Sequence, residues 1–200
     1  MLTIPELVWD TLLAAFGDAP AGHERIAYLD GIQFRDRDGS VHGIATTVTV
    51  PDAVTTPFNF RVSPDAMAQA GEHFTPLGLV RLAQVHTHGD ACTRHSPTDD
   101  QRAYSQRDGA LSLVLPHHAA GTPRPAQGSV HLREPAGWRR LDPGEASRMV
   151  RLVPGLIDHR SSTWNASLTG TKATSADGSS RSGGPGRWLS RWWPLRVRRT

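Results

Sequence analysis

The chain has almost no cysteine: Cys92 stands alone among 200 residues. One thiol excludes an internal disulfide framework and any zinc site built from several cysteines. It also fits a reducing cytoplasm. Long apolar runs are missing too. No stretch approaches the ~18 residues of a membrane helix. The opening MLTIPELVWDTLLAAFGDAP lacks the basic start and small-residue cleavage site of a signal peptide. A soluble, cytoplasmic protein is expected. Glutamate is scarce, with five in the chain, so one found at a chemically meaningful position carries weight.

The length suffices for one domain with a proper core and is too short for two large ones. The net charge of +3 is unevenly spread. Residues 160–200 hold eight Lys/Arg and one Asp, so the tail carries +7 and the remainder −4. A mildly acidic body argues against a nucleic-acid surface there. Near Arg160 the sequence turns polar and Gly/Ser-rich, with too little apolar surface to offset ordering entropy. The division expected is therefore a folded domain over 1–158 and a disordered basic tail over 159–200. The last residues mix Trp188, Trp192 and Trp193 with five arginines from Arg187 to Arg199. That mixture suits an anionic membrane surface, single-stranded nucleic acid, or no stable partner, and the sequence leaves the three open.

Along the body, residues 4–16 read as a helix, with Thr3 as cap and Pro5 at an early position. Val8, Trp9, Leu12, Leu13 and Phe16 form its apolar stripe. Strands are expected in ERIAYLDGIQF, SVHGIATTVTVP and FNFRV, the last with Phe58, Phe60 and Val62 alternating. SPDAMAQAGEHF reads as a helix capped by Ser63. LGLVRLAQVHTH is a strand, SPTDDQRAYSQR a short helix, ALSLVLP and GSVHLREP later strands, and Pro143 to about Leu152 a short helix. Interspersed strands and helices predict a mixed α/β domain.

One stretch carries chemistry: VHTHGDACTRHSPTDD, residues 85–100. His86 and His88 lie two apart at the end of an expected strand, so their imidazoles share a face. In SPTD, Ser96 reads as an N-cap, Pro97 as the first helical residue and Asp99 as the third. Two histidines and a carboxylate would leave a metal one open position, as in catalytic zinc sites. Each residue also has a plainer reading: Ser96 and Asp99 as a helix cap, the histidines as surface residues.

HTHGDACTRHSPTD resembles the H-x-H-x7-S-x-x-D signature of the JAMM (MPN+ or JAB) metalloproteases. That family includes deubiquitinating isopeptidases and enzymes acting on ubiquitin-like or sulfur-carrier proteins. Upstream, ERIAYLDG resembles the family's E-x-x-G-x-L-x-G segment, with Ala27 in place of the first glycine. Gly89 follows the second histidine where many members have proline. The resemblance spans roughly residues 5–135. It implies a JAB/MPN-like (cytidine-deaminase-like) curved mixed sheet flanked by helices, with one zinc ion per chain on His86, His88 and Asp99. It further implies Glu24 as general base to a water molecule and Ser96 as oxyanion donor. The reaction implied is hydrolysis of a peptide or isopeptide bond at the C-terminus of a ubiquitin-like or sulfur-carrier protein. Two other readings stay open: a non-catalytic MPN-type scaffold binding a ubiquitin-like partner, and a metal hydrolase of a small non-protein amide. His₂Asp can also hold iron, cobalt or manganese.

Other histidines are set aside. His23 neighbours Glu24 on the opposite strand face, His95 is read as exposed, and His117 and His118 as part of a solvated loop. Cys92 has no histidine–acid partnership and is read as loop.

Overall fold

The computed structural model describes residues 1–155. The expected basic tail, residues 159–200, lies wholly outside them. Leu2–Pro5 is strand β1, Glu6–Gly17 helix α1, Ile26–Arg35 β2, Val41–Thr49 β3, Ala53–Thr56 β4, Asn59–Val62 β5 and Pro64–Phe74 α2. Then follow Val80–Thr87 β6, Pro97–Arg102 α3, Leu111–Leu115 β7, Ser129–Glu134 β8, Gly137–Arg140 β9, Pro143–Met149 α4 and Val150–Val153 β10. Eight strands form one mixed sheet in the order β10-β1-β3-β2-β6-β7-β8-β9, and β4 and β5 form a separate hairpin. The chain is thus α/β, as its interspersed elements led us to expect. No helix among the described residues is long and apolar enough to cross a membrane.

The two faces of β2 build two apolar clusters, because successive strand residues point to opposite sides. Ala27 and Leu29 join Leu2, Ile4, Leu113, Leu115 and the α1 stripe Trp9, Leu12 and Phe16. Ile26 and Tyr28 pack with Phe60, with Met67 and Tyr104 against them. A fully buried Leu or Phe contributes about 1.5–3 kcal/mol relative to an exposed one, so the first, larger cluster dominates stability. The Trp9 indole N–H donates to Pro123 O at 3.0 Å, which ties α1 to a distant loop.

Three expectations about elements are corrected. Helix α1 begins at Glu6, not Ile4, and Thr3 does not cap it. Leu2 and Ile4 alternate into the core as a strand, pairing in parallel with Val150 and Leu152. The last expected helix, Pro143 to about Leu152, divides at Met149, and its last residues become β10. Phe58 is not a strand residue: it sits at the β4–β5 turn and is 89% exposed. Ser63 and Ser96 do cap their helices, accepting from Ala66 N–H and Asp99 N–H.

Candidate metal centre

Strand β6 lies between β2 and β7, where His86 pairs with Ile26 on one side and Val114 on the other. Its side chain is fully buried. His88 continues the strand by one residue, its N–H donating to Leu115 O at 2.9 Å. Alternation therefore puts both imidazoles on one side, their centroids 5.2 Å apart. Asp99 reaches them from the first turn of α3. His86 Nε2 is 3.6 Å from Asp99 Oδ1, and His88 Nε2 is 3.5 Å from Asp99 Oδ2. One ligand atom from each of the three residues lies within 4.8 Å of the others.

A capping box holds Asp99 in place. The Ser96 N–H donates to Asp99 Oδ2 at 2.6 Å, and the Asp99 N–H donates to Ser96 Oγ at 3.2 Å. The Ser96 hydroxyl accepts here, so its own proton stays free to donate. His88 Nδ1 lies 2.7 Å from Cys92 O. A carbonyl only accepts, so Nδ1 carries the proton and Nε2 is the nitrogen turned to Asp99.

The residues present fit a divalent cation. His86 Nε2 is a buried polar atom without a hydrogen-bond partner, and such atoms are costly unless something satisfies them. Burial drives the His86 pKa down to about 3, leaving it neutral as a ligand must be. Burial also opposes charge on His88, but hydrogen bonds to Asp99 and to the Cys92 carbonyl outweigh it and raise its pKa to about 9. Asp99 is held ionised, well below the usual carboxylate range: burial works against this, and His88, His86 and the Ser96 donors overcome it.

Glu24 stands just ahead of β2, its N–H donating to Thr56 O of β4 at 2.8 Å. It is 8% exposed. Burial is the main cause of its pKa rising to about 7, with Asp99 and Asp90 adding repulsion and His88 opposing. A carboxyl balanced near neutral pH within electrostatic reach of His88 is suited to moving protons.

Several neighbours were not legible in the sequence. Phe60 packs its ring 5.2 Å from that of His86. Buried Gln84 places Nε2 3.3 Å from His86 Nδ1, while its Oε1 accepts from Tyr104 N–H at 3.1 Å. His95 is not exposed: its side chain is 4% accessible. His117 is exposed, as expected of a loop residue, and His118 is half-buried. With Ala119 they form a left-handed turn at φ 51°, 53° and 61°. Their N–H groups donate to Asp90 O and His88 O at 3.0 and 2.8 Å, clamping the loop after the second histidine. The same turn brings the His118 ring against Gly89, where a Cβ would lie 3.0 Å from His118 Nε2. His23 turns away and bonds Thr55 Oγ1 at 3.1 Å. Cys92 is exposed, and its backbone carbonyl is the part that meets the centre.

No family model matches the chain, and no curated protein matches it. Solved structures do. A protein of Desulfitobacterium hafniense is 19% identical with a TM-score of 0.57, over 77% of this chain and 94% of its own, and it shares the fold. A protein of Salinibacter ruber is 18% identical with a TM-score of 0.47, over 71% of this chain and 89% of its own. A JAB1/MPN domain protein of Archaeoglobus fulgidus is 13% identical with a TM-score of 0.41, over 76% and 97%.

Proposed function

We propose that this chain is a metal-dependent hydrolase of the JAB/MPN type, cleaving a peptide or isopeptide bond in a protein with a flexible, ubiquitin-like C-terminus. The observation that carries the reading is the meeting of His86, His88 and Asp99 around an unpartnered, buried His86 Nε2. These three residues would hold the cation, with zinc favoured by the histidine-rich donor set. When bound, it would supply Lewis acidity and a water nucleophile at neutral pH. Glu24 takes the proton released as water attacks and returns it to the departing nitrogen, so an amine leaves rather than an amide anion. Ser96 donates its hydroxyl proton to the oxygen that gains charge in the transition state, while its lone pair holds the Asp99 N–H. A donor fixed in this way contributes about 3–4 kcal/mol of barrier lowering.

The β4–β5 hairpin favours a polypeptide over a small amide. It touches the centre through Phe60 and through the Thr56 carbonyl that accepts from Glu24 N–H. The hairpin also exposes Val54 at 70% and Phe58 at 89%, apolar surface available to an extended partner.

The test is hydrolysis of a panel of fusions carrying ubiquitin-like or sulfur-carrier C-termini by zinc-loaded protein, with Glu24→Gln as control. Cleavage of at least one fusion, lost in the control, supports the reading. Binding of fusions without cleavage indicates a scaffold. Indifference to every fusion, together with turnover of small amides, indicates the small-amide hydrolase.

A further inference from the structure

Asp99 and Ser96 reach the histidines only if the segment carrying them is fixed to the sheet. The capping box does not do this. It locks Asp99 to Ser96, and the two move together. The ends of the segment are anchored: the Ser129 hydroxyl donates to Thr93 O, and Tyr104 N–H donates to Gln84 Oε1. Between them, among the described residues, the hydrogen bonds joining residues 94–102 to strands all come from His95. The other polar links are Asp99 itself, facing His86 and His88, and an indirect one through exposed Gln106, which donates to Asp100 O and accepts from Arg133 Nε of β8.

His95 Nδ1 lies 2.9 Å from Asp100 Oδ1, and Nε2 lies 2.9 Å from Ser112 Oγ on β7. A carboxylate only accepts, so Nδ1 holds the proton, and Nε2 accepts from the Ser112 hydroxyl. The His95 N–H donates to His131 Nε2 on β8 at 3.4 Å. Its ring stacks on that of His131, centroids 3.8 Å apart and 14° from parallel, and meets the Trp138 ring of β9 edge-on at 5.3 Å. The His86 ring lies 5.7 Å away. His95 thus brackets Asp99: it is bonded covalently to Ser96 on one side and through a hydrogen bond to Asp100 on the other.

We propose that His95 is a positioning residue of the metal centre, a two-point tie that sets Asp99 and Ser96 against His86. The inference rests on the metal-binding reading above. Groups that orient metal ligands at one remove are typically worth about 10–100-fold in metal affinity. His95→Phe keeps the ring and its stacking and removes both side-chain hydrogen bonds, so it separates the tie from simple packing.

Zinc affinity is to be measured on the full chain by competition with a chromophoric chelator, alongside the visible spectrum of the cobalt(II)-substituted protein. Wild type should bind one ion. His95→Phe should bind it about 10–100-fold more weakly with an altered cobalt spectrum, and His95→Asn, which retains a donor towards Asp100, should recover part of the loss. If His95→Phe does not fold, Ser112→Ala decides: weaker zinc binding supports the tie, and unchanged binding overturns it. Wild-type binding with unchanged affinity and spectrum in His95→Phe overturns this inference alone. Absence of zinc binding by the wild type overturns it together with the metal reading.

Discussion

Glu24→Gln should make the metal-free protein more stable above neutral pH while destroying its hydrolytic activity. The Glu24 carboxyl is 8% exposed, and its pKa rises from 4.5 to about 7, first through burial and then through Asp99 and Asp90. Below pH 4.5 the group is neutral in the folded and the unfolded chain, and it takes nothing from stability. As the pH rises, the unfolded chain releases its proton first, so stability falls until the folded carboxyl has also ionised near pH 7, where the loss levels off. At 1.36 kcal/mol per pH unit the full loss is about 3 kcal/mol. Glutamine has nearly the same shape and never ionises, so it escapes this penalty. For a domain of this size the gain amounts to roughly 6–12 °C in melting temperature. The assay is thermal or urea unfolding with a strong chelator present, because a nearby cation would itself pull the Glu24 pKa down. The two proteins should unfold alike near pH 4, and the variant should gain progressively from there to about pH 8. Activity of the zinc-loaded variant should fall about 10²–10⁴-fold. A stability difference that is absent, or constant with pH, would refute the claim that Glu24 is a buried carboxyl beside other acids.

Three further outcomes follow from the same geometry. Gly31→Ala should destabilise by several kcal/mol or prevent folding, because a Cβ there would lie 2.0 Å from Ile44 O in the neighbouring strand; denaturant unfolding or soluble yield reads this directly, and a wild-type melt would contradict it. Zinc binding near pH 8 should release at least one proton, since His88 holds one until about pH 9 and His86 holds none, and ionisation of a metal-bound water adds to it; calorimetry in two buffers of different ionisation enthalpy measures it, and zero release would mean that His88 is not a ligand. Gly89→Pro, which restores the residue common in the resembling family, should shift the His118 ring, because a Cβ there would lie 3.0 Å from His118 Nε2; unchanged His118 imidazole NMR signals would contradict this.

What could be read from the sequence was what short-range rules determine. The His86–His88 pair needed only strand alternation, and Ser96–Asp99 only the geometry of a helix cap, so both survive intact in the structure. Gly31 was legible as part of a motif, but its reason, the approach of Ile44 O, belongs to strand pairing. Strand β1 escaped notice because four residues ahead of an amphipathic helix look like its first turn. Only pairing with residues 43–44 and 150–153 makes them a strand. β10 was lost for the same reason at the other end. His95 looked exposed because its partners Ser112, His131 and Trp138 come from three later strands. His118 meets Gly89 only once the turn at residues 117–119 is folded over the loop.

The most direct test is metal content. Wild type, His86→Ala and Asp99→Ala should each be loaded with zinc, passed through a desalting column and measured by elemental analysis against protein concentration. One zinc per wild-type chain, with little in either variant, is the expected result. Equal zinc in all three proteins, or none in the wild type, would contradict the assignment of His86, His88 and Asp99 as one cation-binding centre.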